Sequence, residues 1–87
     1  NVLNAVSLNA VSSIQNTGIT VGARVNTTNY LNVRVSPSLI ANILGTQPAN
    51  VAGTVIKGPI YANGYTWWKI SYDTGPDGWS VENWLRK

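Results

Sequence analysis

The chain has no cysteine, no histidine and no methionine, and charged residues make up only 10% of its 87 positions. Without cysteine there is no disulfide, and without cysteine or histidine there is no structural zinc site. A chain of this length buries roughly 60% of its unfolded surface, so one small core must hold it by packing alone. The groups that most enzymes use for proton transfer are also scarce. Asp73, Asp77 and Glu82 are the three carboxylates, and Asp73 and Asp77 flank a Gly-Pro turn, where Asp serves the backbone. Serine and threonine hydroxyls need an adjacent base, and Lys57, Lys69 and Lys87 are not spaced to supply one. Calcium takes six to eight oxygens and favours more carboxylates than this. The inventory argues against an enzyme, a metal site or a cofactor.

Charge is thin in the other sense as well. The net charge of +3 comes from Arg24, Arg34, Lys57, Lys69, Arg86 and Lys87, too scattered to make a nucleic-acid stripe. No apolar run is long enough to span a bilayer. A charge-poor, Asn-rich chain without cysteine suits the outside of a bacterial cell. The missing initial Met reads as a processed or trimmed end.

What is present divides into two zones. Residues 1–19 hold no aromatic, no charge and no proline, and they contain a tandem repeat, Leu3-Asn4-Ala5-Val6-Ser7 and Leu8-Asn9-Ala10-Val11-Ser12. Five residues is neither a helical nor a strand period. The Asn, Ser and Val content favours extended structure, so this zone is expected to be an N-terminal arm. Its apolar members, Leu3, Val6, Leu8, Val11 and Ile14, cannot bury themselves alone. They would dock on the chain's own barrel or add as a strand to a neighbouring copy.

Residues 20–87 read as short strands between Gly, Pro and Asn clusters, which is an all-β pattern. Strands are expected at about 20–26, 30–35, 40–46, 51–58, 65–73 and 77–81, with one 3₁₀ turn in Val81-Glu82-Asn83-Trp84-Leu85. Alternation sorts the faces. Leu31, Val33 and Val35 share a face opposite Tyr30, Asn32 and Arg34. Trp68, Ile70 and Tyr72 share one opposite Trp67, Lys69 and Ser71. The expected core is Leu31, Val33, Leu44, Val55, Trp68, Ile70 and Trp79, of which alternation itself gives Leu31, Val33, Trp68 and Ile70.

The ordered motifs resemble the bacterial SH3-like (SH3b) family over about residues 21–85. They are Leu31-Asn32-Val33-Arg34 before Ser36-Pro37-Ser38, then Ile43-Leu44-Gly45, Gly53-Thr54-Val55, Trp68-Lys69-Ile70-Ser71-Tyr72, and Gly78-Trp79-Ser80-Val81-Glu82 with Trp84-Leu85. Two features depart from the family pattern. Val35-Ser36 precede Pro37 where a glycine is usual, and residues 59–66 form a long aromatic loop around the turn signal Asn63-Gly64. The resemblance implies a small, strongly bent barrel of five to six antiparallel strands. It also implies an accessory module of secreted or surface proteins, many of which grip cell-wall peptides or glycans. Eukaryotic relatives bind Pro-rich helices through an aromatic groove and an acidic loop, and the acidic loop is missing here.

The candidate ligand site follows from loop placement and alternation, which push Trp67, Tyr61 and Tyr65 outward with Asn63 and Lys69 as polar partners. Aromatic faces of this kind suit sugar rings and peptides. An exposed aromatic cluster is costly unless it contacts something, so a binding patch and simple packing of segment 59–66 over the barrel stand level. Tyr30 and Arg34 form a second outer patch, read as an ordinary solvated strand face. Trp84 is expected to cap a barrel end. The expected partners are a cell-wall polymer or glycan, or neighbouring copies of the chain.

Overall fold

The computed structural model describes residues 17–87. Its strands are β1 (Arg24–Thr27), β2 (Leu31–Arg34), β3 (Ile43–Gln47), β4 (Ala52–Ala62), β5 (Tyr65–Tyr72), β6 (Gly78–Val81) and β7 (Leu85–Arg86). The expected 3₁₀ turn lies at Glu82–Trp84. All pairings are antiparallel, and the seven strands make one sheet in the order β3-β2-β6-β5-β4-β1-β7. The all-β expectation holds. The sheet is open, with β3 and β7 as its edges, and it has one strand more than the six expected, because the chain resumes pairing with β1 after the 3₁₀ turn.

β4 organises the whole. Its first half pairs with β1, while β5 pairs along its length from Gly53↔Tyr72 to Ala62↔Tyr65. The register shifts twice between Val55 and Ile60, and such irregularities bend a strand and raise its twist. Gly58 lies within the second shift, between Lys57 and Ile60, at φ +121°, and a Cβ there would meet Trp67 O and Trp68 Cε3 at 2.9 Å. Only glycine fits.

The segment 59–66, read from sequence as a long aromatic loop, is instead a hairpin. Pro59–Ala62 continue β4, Tyr65 and Thr66 begin β5, and Asn63-Gly64 alone make the turn. Asn63 at φ 55° and Gly64 at φ 79° give the doubly left-handed two-residue turn that matches strand twist.

The main core joins Val25, Val33, Val55, Trp68, Ile70, Tyr72 and Leu85, contributed by five strands. Ile19, assigned from sequence to the arm, is buried in this core. Each such side chain contributes roughly 1.5–3 kcal/mol through burial. Leu31 and Trp79 are buried outside that cluster. Leu44 corrects the expected core: it is 53% exposed, because β3 is a sheet edge with no strand beyond it. The other expected arm residues, Leu3, Val6, Leu8, Val11 and Ile14, lie outside the described residues.

Buried polar groups are satisfied, as interiors require. The Thr27 hydroxyl donates to Pro48 O at 2.6 Å and accepts from Val51 N–H at 2.9 Å. Gln47 Nε2 donates to Thr74 O at 2.6 Å. Tyr72 Oη and Ser80 Oγ share a hydrogen bond of 2.7 Å. Burial pushes the Tyr72 phenol up to about 12, helped by the nearby Asp77 charge and opposed by the Ser80 hydrogen bond.

Candidate functional site

Strand register settles which side chains share the outer face of the sheet. Ile60, Trp67 and Val81 are directly opposite one another on β4, β5 and β6, and Lys69 is opposite Trp79. Directly paired residues point the same way. Trp67 thus faces away from Trp68, as alternation requires, but it is not a surface residue. It is 1% exposed, which corrects its assignment as an outward ligand platform. Its indole N–H donates to Ala62 O at 2.9 Å, and the Tyr65 ring meets it edge-on at 6.2 Å. Neighbours on other strands cover a face that one strand's pattern leaves open.

Above Trp67 runs a groove of about 180 Å³. Its floor is Trp67 with Leu31 and Val81, and Tyr30, Tyr65 and Trp84 form its rim. Tyr30 and Trp84 are 65% and 42% exposed. Asn32 and Arg34 supply the polar groups, and Leu39 closes one end.

Each rim group is held by its local structure. Tyr30 precedes β2, donates its N–H to Asn29 Oδ1 at 2.8 Å and its hydroxyl to Thr46 Oγ1 at 3.1 Å. Trp84 ends the 3₁₀ turn, and its carbonyl accepts the N–H of Thr28 at 2.8 Å. Arg34 Nη1 donates to Leu39 O and Ala41 O, both at 3.0 Å. The β2–β3 loop is thereby wrapped around the guanidinium. Asn63 Oδ1 accepts the N–H of Leu39 at 2.9 Å and ties the loop to the β4–β5 turn.

The carboxylates stand elsewhere. Asp73 receives Arg24 through two hydrogen bonds, of 2.8 and 2.6 Å. The Arg24 hydrogen bond, with its charge, holds the Asp73 carboxyl below the ordinary carboxylate value. Asp77 Oδ1 accepts the Tyr72 N–H at 2.8 Å. Glu82 Oε1 accepts the Trp68 indole N–H at 2.9 Å and the Thr17 hydroxyl at 3.3 Å. Among the described residues no group of three or more His, Cys, Asp or Glu side chains is gathered to hold a metal ion. Nor is any described helix long and apolar enough to cross a membrane.

Protein-family models, curated proteins and solved structures all fail to match the chain.

The structure therefore divides the residues singled out from sequence. Trp67 and Tyr65 belong to the groove. Tyr61 lies with Asn63 and Gly64 around a shallower depression at the hairpin tip. Asn63 is engaged with Leu39 rather than facing the groove, and Lys69 is beside Trp79, outside the groove lining. Trp84, expected as a cap, is a rim residue. Tyr30, Asn32 and Arg34 were legible as one outer strand face. That this face meets β6 and β5 follows only from the sheet order.

Proposed function

We propose that the chain is a non-catalytic SH3-like binding module of the bacterial cell surface, and that its groove grips cell-wall peptidoglycan or a surface glycan. One observation carries the reading: Tyr30, Tyr65 and Trp84 come from three separate segments and converge around one concave floor. Large aromatics left half in water are unfavourable unless a partner covers them, and their faces suit sugar rings and peptide backbones. The seven-stranded antiparallel sheet and the ordered SH3b-like motifs support the module class. The decisive experiment is co-sedimentation with purified peptidoglycan. Wild-type protein pellets with the wall and Trp84→Ala stays in solution; failure of the wild type to pellet sinks the reading.

A second reading, a subunit of a self-assembling surface structure, is supported by edge strand β3. Residues 35–56 carry no charge, and Ile43 and Leu44 are exposed on β3. Natural edges are usually blunted by charge or shortness, as β7 is by Arg86 and its two-residue length. Here an arm bearing Leu3, Val6, Leu8, Val11 and Ile14 adds to a neighbour. Deleting residues 1–15 abolishes oligomers and leaves a folded sheet; a wild-type chain that stays monomeric at high concentration rules this out.

A further inference from the structure

We propose, taking the groove as a binding site, that its ligand carries a carboxylate and that Arg34 receives it. The charge arrangement points there. Each of the three carboxylates of the chain is engaged by another group: Asp73 by Arg24, Asp77 by the Tyr72 N–H, and Glu82 by Trp68 and Thr17. None of the three lines the groove. Arg34 does, half-buried, and its hydrogen bonds run from one nitrogen, Nη1, to two neutral carbonyls. A guanidinium stays charged at any ordinary pH and carries five N–H donors in a planar fork, so donors are left over.

The two carbonyl anchors also fix the fork before any ligand arrives. A cation held in place, partly screened from water by Trp67 and the rim aromatics, and lacking an acidic partner gains most from a bidentate anion. Aromatic walls alone would serve a neutral sugar equally well, and it is the uncompensated Arg34 that separates the two. The other basic side chains, Arg24, Lys57, Lys69, Arg86 and Lys87, do not line the groove. One cation suits one carboxylate, whereas a phosphate polymer calls for a row of them.

In a cell wall a carboxylate is offered by a wall peptide and by the lactyl group of an N-acetylmuramic acid unit that carries no peptide. The test titrates wild-type protein with two pairs of probes: a peptide ending in D-Ala against its C-terminal amide, and N-acetylmuramic acid against its carboxamide. Inorganic phosphate serves as a competitor. The expected result is that one acid binds about tenfold more tightly than its own amide, the scale of a charge-assisted hydrogen bond. That member identifies the source. Arg34→Gln abolishes the difference and Arg34→Lys keeps part of it, with thermal melts showing that both variants fold. Equal affinity within both pairs, no binding of either acid, or tighter binding of phosphate overturns the proposal. Peptidoglycan sedimentation is measured in parallel: if the wall still pellets the protein, the groove reading survives and only the carboxylate assignment falls.

Discussion

Asn63 Oδ1 and the backbone N–H of Leu39 meet at 2.9 Å although 24 residues separate them in sequence. The bond clasps the β2–β3 loop, which closes one end of the groove, to the tip of the β4–β5 hairpin. Asn63→Gly keeps the left-handed turn and removes only the clasp, so stability should change by less than about 1 kcal/mol, since the bond is exposed. Wall binding should weaken several-fold as the groove end loosens. Asn63→Ala also strains a position at φ 55° and should cost about 1–2 kcal/mol more. Urea melts and sedimentation, run on both variants, separate the two effects.

Burial divides the groove aromatics into two kinds. Trp67→Ala should cost about 3–5 kcal/mol, a large share of the total stability of a small domain. Tyr30→Ala and Trp84→Ala should each stay within about 1 kcal/mol of wild type and still lose wall binding. Circular dichroism melts beside binding isotherms check this; a Trp67→Ala protein as stable as wild type would contradict the burial of that ring.

Alkaline pH tests the interior at Tyr72. The phenol ionises at about 12 in the folded chain against 10.0 for an ordinary tyrosine. Between these values the unfolded chain has released a proton that the native chain retains, so the unfolded state gains as pH rises. Stability should therefore be intact below about pH 10 and fall toward pH 12. Tyr72→Phe should flatten that fall and cost about 1–2 kcal/mol at neutral pH, because the buried Ser80 hydroxyl loses its partner. Denaturant midpoints across the pH range provide the measurement.

Edge and core positions should respond oppositely. Leu44→Lys and Ile43→Lys should leave monomer stability within about 0.5 kcal/mol, whereas Val33→Ala and Val55→Ala should each lose about 2 kcal/mol. If β3 accepts a neighbour, the two lysine variants also lower the apparent mass in sedimentation velocity; an unchanged mass in an oligomeric wild type excludes β3 as the contact.

Much of the fold was legible because local rules act within one strand. The alternation of Trp68-Lys69-Ile70-Ser71-Tyr72 gives three members of the main core, and that of Leu31-Asn32-Val33-Arg34 gives two buried residues, Val33 in the core and Leu31 beneath the groove. Asn63-Gly64 carried a true turn signal, masked by the aromatic residues on either side, which belong to strands. Leu44 departs from the expected core because nothing local shows that its strand is the last in the sheet. Trp67 lies on the face that alternation gives but is buried there, since Ile60 and Val81 stand opposite it in register and Ala62 and Tyr65 meet its ring. The site was less legible than the fold: its rim is drawn from residues 30, 65 and 84, and only the order β2-β6-β5 brings them together.

The sheet order has one more consequence. β1 lies against β7, and Gly18 is so near the last residue that a Cβ on it would stand 3.4 Å from Lys87 Cδ. The two ends of the described chain share a corner, while the hairpin tip at Gly64 is exposed. Covalent order is thus separable from spatial order in this molecule. A circular permutant, joined from Lys87 to Gly18 by a short linker and opened at the hairpin tip, would preserve every strand pairing while breaking the covalent link beneath the Asn63 clasp.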